Sequence, residues 1–346
     1  MIREILNSEL RQLLERRLQQ AAIENPHLET NPVRTIEDWC AYVERFAHQM
    51  PWQTMDIGED ASFFRRIDQN IGYFYFLLGD LQYEPRVAQW LKEYNIAWGE
   101  WLSSPDSWKD EYYQLALSDP LFELASNRYE SPSNWHSWND FFARQLRNPI
   151  ENQKSKIENR SFIAPCDGEI VSAPVKTASI SNWLDLLGDS AYRKAFVGGD
   201  TIHIVLDVFD YHRFHMPCDG TVLECKTIQG IHAGGGEIIW DEEQGRYRYV
   251  QCGVTDFQML ETRGVLIIDT RAYGKIAIVP VGVQQVSSVQ WTIPYTVHHP
   301  PRRRAWEIFI RRQRCRSLLR TRPCSVYHPQ KRQSRRSFDR MTELGS

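Results

Sequence analysis

The sequence predicts an α+β fold, with a helical N-terminal part followed by a mostly antiparallel β part. Three observations predict it. Over residues 1–103 apolar side chains recur at three- and four-residue spacing, the period of a helix with one buried face. Near residue 150 that period gives way to short β-branched runs bounded by Gly, Pro or Asp, which read as strands joined by tight turns. Helices come first and strands afterwards rather than in alternation, and that order favours antiparallel sheet over a parallel one.

Taken in order, residues 1–24 form a charged amphipathic helix with Leu6, Leu10, Leu13, Leu14 and Leu18 near one face. The stripe is narrow and interspersed with acidic residues, so it reads as a packing helix rather than a membrane-surface one. Further helices are expected over 35–50, 61–79 and 85–103, punctuated by Pro51, Gly79-Asp80 and Ser103-Ser104-Pro105. The run Tyr73-Phe74-Tyr75-Phe76-Leu77-Leu78 is too short to span a bilayer and reads as core. Trp90, Trp98, Trp101 and Trp108 read as core aromatics in preference to the lining of a substrate pocket. Strands are expected at Thr201–Val208, Gly220–Ile228, Val265–Ile268 and Lys275–Val281. No internal repeat is evident, and Gly234-Gly235-Gly236 reads as a loop because it lacks the setting of a nucleotide fingerprint. The domain organisation expected is a helical extension over 1–137, a β-rich catalytic domain over 138–297, and an aberrant basic, disordered tail over 298–346.

Composition narrows the class. Hydrophobic content of 42% supports a full core, and no apolar run reaches the length of a membrane span. Met1-Ile2-Arg3-Glu4 is too densely charged for a secretory signal. Seven cysteines, an odd number without paired spacing, suit a reducing compartment better than a disulfide framework. A cytoplasmic protein is therefore expected. The net charge of −3 hides an asymmetry: residues 301–346 hold 14 Lys and Arg against 3 Asp and Glu, and the remainder 27 against 41. A basic tail suggests nucleic-acid binding, but Lys331 is the only lysine among those 14, and such tails usually mix lysine with arginine.

The densest chemistry lies in Asp210-Tyr211-His212-Arg213-Phe214-His215-Met216-Pro217-Cys218-Asp219-Gly220. Two histidines three apart beside an arginine place proton-transfer groups and an anion-binding group together. Histidine suits proton transfer because its unperturbed pKa lies near working pH. The planar fork of Arg213 suits a carboxylate or phosphate, and a structural ion pair is an equal alternative. Spacing alone also permits a metal site, with His212, His215 and Cys218 as ligands and Asp219 or Cys166 as a fourth. That reading makes a zinc site, either that of a metal-binding hydrolase or a structural one.

The segment Asp210–Pro217 resembles the signature of the phosphatidylserine decarboxylase family. Other motifs resemble the family's in its own order. They are Phe141-Phe142-Ala143-Arg144 with Leu146 and Pro149-Ile150; Ala164-Pro165-Cys166-Asp167-Gly168; Leu186-Leu187-Gly188 with Phe196-Val197-Gly198-Gly199; Glu261-Thr262-Arg263-Gly264; Gly274-Lys275-Ile276-Ala277 with Pro280-Val281-Gly282; and Val286-Ser287-Ser288-Val289. The resemblance covers about residues 138–291. It implies a carboxy-lyase of phospholipid biosynthesis, made as a zymogen that cleaves itself at a Gly-Ser bond so that the serine becomes a pyruvoyl cofactor. Such a carbonyl forms a Schiff base with the substrate amine and acts as an electron sink for the carbanion left by decarboxylation. The resemblance further implies Asp167 and His215 as the pair that activates the serine, His212 as a group for substrate binding or protonation, and Arg213 as an anion holder. The implied substrate is phosphatidylserine, met at a membrane surface as a peripheral contact, or a related free amino acid. The long aromatic extension resembles that of members suspected of acting on free amino acids. No nucleic-acid partner is implied, and oligomeric state is left open.

The sequence departs from the family after Val289, where the expected Gly-Gly-Ser or Leu-Gly-Ser stretch is missing. The terminal Leu344-Gly345-Ser346 imitates it and reads as coincidence. Permitted codons for Trp306 to Cys315, TGG GAA ATT TTT ATT CGG CGG CAG CGA TGT, read one nucleotide later give Gly-Lys-Phe-Leu-Phe-Gly-Gly-Ser-Asp. That restores the motif, with its serine codon straddling Gln313 and Arg314. The same shift over Arg320 to Pro323 gives Glu-Pro-Gly-Arg. Residues from about 298 onward therefore read as an out-of-frame tail that leaves the chain without its cofactor-forming serine and the sheet without its last strands.

Overall fold

The computed structural model describes residues 8–48, 63–147, 162–176, 183–206, 209–218, 220–234, 237–243, 245–250, 259–270, 273–282, 288–291, 308–309 and 314–320. The chain divides into two compact units. The first is built mainly from Met1–Ser107 and Ile231–Glu261, the second from Trp108–Gly230, Thr262–Gly282 and the chain after Val286.

The first unit is helical, with one hairpin. Its helices are α1 (Ser8–Glu24), α2 (Ile36–Phe46), α3 (Phe63–Leu78) and α4 (Pro85–Trp101), within a few residues of the predicted spans. On α1 the buried stripe is Leu10, Leu14, Leu18 and Ala21, while Leu6 lies outside the described residues. Helix α2 starts where Thr35 and Asp38 close a capping box, each side chain accepting from the other's backbone N–H at 3.1 and 2.9 Å. Helix α4 starts at Pro85, with the Glu84 carboxylate taking the exposed N–H groups of Arg86 and Val87. The run at Tyr73–Leu78 is core as predicted: Phe74 and Leu77 are fully enclosed. Trp90 and Trp98 pack there too, Trp90 against Trp39 at 5.6 Å and Trp98 against Phe46 at 5.4 Å, whereas Trp101 and Trp108 are half-buried.

The hairpin β5 (Glu237–Asp241) and β6 (Arg246–Val250) was not foreseen. It is inserted from the β-rich half of the sequence, and its Tyr249 hydroxyl accepts from Asn25 at 2.8 Å and donates to the Thr30 carbonyl at 3.0 Å.

The second unit carries short helices α5 (Asp110–Ser118) and α6 (Trp138–Phe142) and the main sheet. Its strands are β1 (Glu169–Lys176), β2 (Asp200–Val205), β3 (Arg213–Phe214), β4 (Thr221–Ile228), β7 (Arg263–Thr270), β8 (Gly274–Val281), β9 (Ile308–Phe309) and β10 (Arg314–Arg320). The sheet has six strands in the order β1-β2-β10-β8-β7-β4, all paired antiparallel. Residues Val265–Ile268 are buried on both faces, so this strand reads as a continuous apolar run without alternation. One apolar cluster gathers Cys166, Cys218, Phe214, Met216, Ile204 and Leu266 with their neighbours.

Two expectations are corrected here. The sheet does not stop near Val289: β10 lies between β2 and β8, with Leu318 opposite Ile202 on one side and Ile278 on the other. Ladder hydrogen bonds join main-chain groups, so an arginine-rich segment completes the sheet as readily as an apolar one. The rest of the tail lies outside the described residues. The second correction is a short internal repeat. The turns Pro165-Cys166-Asp167-Gly168 and Pro217-Cys218-Asp219-Gly220 carry the same four residues, and their leading segments pair reciprocally. His215 N–H donates to the Pro165 carbonyl at 2.6 Å and Ile163 N–H to the Pro217 carbonyl at 2.8 Å. The residue two before each proline thus meets the other's proline. Four matching residues are too few to register as periodicity in the sequence.

Candidate active site

The reciprocal pairing places the segments that carry Asp167 and His215 side by side. One turn supplies Asp167 and the segment before the other supplies His215, and the Pro165–His215 hydrogen bond sets them within two residues of a shared contact. Gly168 is required beside Asp167. Its φ is +130°, and a Cβ there would meet the Val205 carbonyl oxygen at 2.5 Å, so only glycine lets the turn press against β2. Asp167, His212 and His215 are all buried.

Each histidine is held by an oriented contact. His215 Nε2 and the Tyr211 hydroxyl are 3.0 Å apart, with the two rings nearly coplanar in orientation. His212 Nδ1 meets the Asp210 carbonyl at 2.8 Å, consistent with Nδ1 carrying the proton, and its ring packs on Phe142 at 3.9 Å. Arg213 is buried, and its Nε donates to the Ala143 carbonyl at 2.8 Å, which anchors β3 to the end of α6.

Around these lies an arginine–tyrosine frame that sequence reasoning did not single out. Arg144 is fully enclosed and donates to the carbonyls of Phe209 and Asp210. Its guanidinium sits 4.5 Å from the Tyr129 ring centroid, a cation–π contact in a desolvated setting. Arg128 pairs with Asp167 at 3.5 Å and with Glu123. Burial works against the Arg128 charge, but Tyr129, Asp167 and Glu123 outweigh it and hold its pKa above the ordinary arginine value. Burial also raises the Tyr129 pKa, against the pull of Arg144 and Arg128. Only Arg144 had a sequence signal, as the last residue of the Phe141–Arg144 motif.

Other motifs have structural roles. Arg263 of β7 donates from Nε to the Leu186 carbonyl at 2.8 Å and from Nη2 to that of Asp185 at 3.3 Å. It thereby ties the Glu261–Gly264 motif to the Leu186–Gly188 one, and burial lowers its pKa. Gly264 leaves room for Trp291 and Pro280, which a Cβ would meet at 2.6 and 2.9 Å. Among the described residues no group of three or more His, Cys, Asp or Glu side chains converges with metal-binding geometry. Cys166 and Cys218 pack in the apolar cluster, so the metal-site alternative finds no ligand set among these residues. Asp219 lies outside them. No described helix is long and apolar enough to cross a membrane.

Residues 138–335 match the family model described as phosphatidylserine decarboxylase, which is more than half the chain. The chain belongs to the phosphatidylserine decarboxylase family. Among curated relatives, it is 29% identical over 199 residues to the phosphatidylserine decarboxylase proenzyme of Photobacterium profundum, covering 54% of this chain and 62% of that protein. It is 31% identical over 200 residues to the proenzyme of Bordetella avium, covering 54% and 60%. The Chlamydia pneumoniae proenzyme is 28% identical over 187 residues, covering 49% and 56%. The chain thus spans about three fifths of the length of the curated relatives it matches. The family match runs on to residue 335, past Val289 where recognisable motifs end.

Proposed function

We propose that this chain derives from a self-processing, pyruvoyl-dependent decarboxylase of phosphatidylserine, or of a related amino acid, and that as written it cannot form its cofactor. Within the matched region Asp167 and His215 serve as the pair that activates the processing serine, His212 acts on the substrate, and Arg213 holds an anionic group. The division into an extension over 1–137, a catalytic domain over 138–297 and an aberrant tail over 298–346 belongs to the same proposal. Substrate access is at a membrane surface if the head group is lipid-borne, and from solution if it is a free amino acid.

The observation that carries this reading is the register of β9. Phe309 pairs with Arg213 and Ile308 with Phe214, so the chain leaves β9 at the end of β3 next to His212. It re-enters the sheet at Arg314, opposite Val281 of β8. The connection between these points is the place where the shifted frame reads Gly-Gly-Ser. In this chain it reads Ile310-Arg311-Arg312-Gln313. A pyruvoyl group is made from serine, and the next serine, Ser317, stands inside β10 behind Arg316. The residues present between β9 and β10 do not fit the cofactor.

The test is the coding DNA across residues 290–320, followed by expression of the frame-restored chain. That chain is expected to cleave itself, carry a carbonyl cap on the smaller fragment and release CO₂ from a serine head group or an amino acid. His215→Ala or Asp167→Ala should block cleavage, while His212→Ala should leave cleavage largely intact and reduce turnover. Normal cleavage in His215→Ala with none in His212→Ala would reverse the assignment. DNA that cannot be read as Gly-Gly-Ser one nucleotide later across Arg311 to Arg314 would end the frame argument.

A further inference from the structure

We propose that Arg128 is a positioning residue of the processing site, supplied from outside the family-matched segment. The proposal rests on the role given above to Asp167 and His215. The family match begins at residue 138, so Arg128 and its neighbour Tyr129 belong to the extension.

Four observations converge on it. First, Arg128 Nη2 lies 3.5 Å from Asp167 Oδ2, with the two side chains only 9% and 5% exposed. A carboxylate buried to that degree needs a compensating charge to stay ionised, and Arg128 is a cation paired with it. Second, Glu123 holds the other end of the guanidinium through Nη1. Third, the backbone is clamped. Arg128 carbonyl accepts from Arg147 N–H at 2.8 Å, Glu130 N–H donates to the Gln145 carbonyl at 2.8 Å, and Tyr129 bridges Leu146 antiparallel. Residues 145–147 directly follow Arg144, which holds the carbonyls of Phe209 and Asp210. Fourth, Tyr129 packs on Tyr211 at 6.2 Å, and the Tyr211 hydroxyl meets His215. Two consecutive extension residues thus bear on both members of the pair, Arg128 on Asp167 by charge and Tyr129 on His215 through Tyr211. An orienting carboxylate works only if it keeps one ionisation state, and the charge of Arg128 beside Asp167 favours the ionised one.

The experiment has two arms. In the full chain as it exists, labelled with ¹³C at aspartate carboxyls, the Asp167 signal is identified by its loss in Asp167→Asn. Arg128→Met is expected to move that signal, and Arg128→Lys, which keeps the charge, to return it towards the parent position. In the frame-restored chain, Arg128→Met is expected to slow self-cleavage ~10-fold or more, and Arg128→Lys to recover it to within ~3-fold, at matched melting temperature. A merely structural ion pair would change melting temperature without this ordering. If Arg128→Met does not fold, Glu123→Gln, which frees the fork without emptying the site, is expected to give a smaller change of the same sign. An unmoved Asp167 signal in folded Arg128→Met, or in Glu123→Gln where Arg128→Met does not fold, overturns the proposal, as does cleavage at the parent rate. The carboxyl signal decides alone if the restored chain does not process. If Asp167→Asn and His215→Ala still cleave, the site reading fails; if they block cleavage and Arg128→Met does not slow it, only the role of Arg128 fails.

Discussion

His232 is the residue whose charge the fold suppresses most clearly. It is nine-tenths buried in the helical unit, 3.0 Å from the Asn95 side-chain amide, and the hydroxyl of Tyr75 donates to its carbonyl. Burial, with a smaller push from Lys92, lowers its pKa to about 4 from the ordinary 6.5. A histidine with a depressed pKa binds fewer protons folded than unfolded, so stability rises with pH between the two values. The contribution is fully present above about 6.5 and is lost as pH falls towards 4, amounting to roughly 2–4 kcal/mol across that window. Urea midpoints measured from pH 7 to pH 4.5 should fall, and in His232→Gln that part of the slope should flatten; an unchanged slope would show that the ring titrates normally. Arg144 poses a different residue-level test. It donates to two carbonyls beside the histidine segment from a fully enclosed position, so Arg144→Met removes one donor from each, the Asp210 carbonyl keeping that of His212 Nδ1, and should cost ~1–3 kcal/mol in chemical unfolding.

At the scale of elements, the turn at Gly168 and the strand β10 carry the sharpest expectations. Gly168→Ala forces a side chain into a φ of +130° and against the Val205 carbonyl. Both β1 and Asp167 depend on that turn, so a loss of ~2 kcal/mol or more is expected, visible as a drop in melting temperature. β10 is flanked on both sides, and a proline there removes a ladder N–H and clashes with its neighbour. Leu318→Pro should therefore lower the melting temperature by several degrees and deprotect the amides of β2 and β8 in hydrogen exchange. A silent Leu318→Pro would show that the strand is not seated between them. Thr35→Ala, which opens the capping box of α2, should cost ~1 kcal/mol and leave the β-rich unit untouched.

At the scale of the whole molecule, the prediction is that the purified chain stays in one piece at 40.7 kDa. No serine stands where the chain passes from β9 to β10, so intact-mass spectrometry should show a single species with no carbonyl-capped fragment. Two fragments would mean that the cleavage position lies elsewhere. The two compact units also explain why the extension cannot be treated as an appendage. Ile231–Glu261 comes from the β-rich half of the sequence yet folds into the helical unit, and Arg128 and Tyr129 precede the matched region yet pack beside its Asp and His segments.

The sequence by itself determined what depends on local pattern. It was sufficient for the helices α1 to α4, whose apolar period and caps are set within a few residues, and for the β2, β4, β7 and β8 strands, whose β-branched runs are long and bounded by turn residues. It also determined the family and singled out Asp167, His212 and His215 through motifs contiguous in the chain. What only the tertiary structure decided depends on pairing between distant segments. The hairpin β5–β6 lacks a strong apolar alternation because one side meets helices and Trp240 remains 44% exposed. β10 was invisible because main-chain pairing tolerates an arginine-rich strand. The reciprocal turn pairing and the reach of Arg128 to Asp167 arise from contacts 39 to 54 residues apart in the chain, where no spacing rule applies and geometry alone brings the groups together.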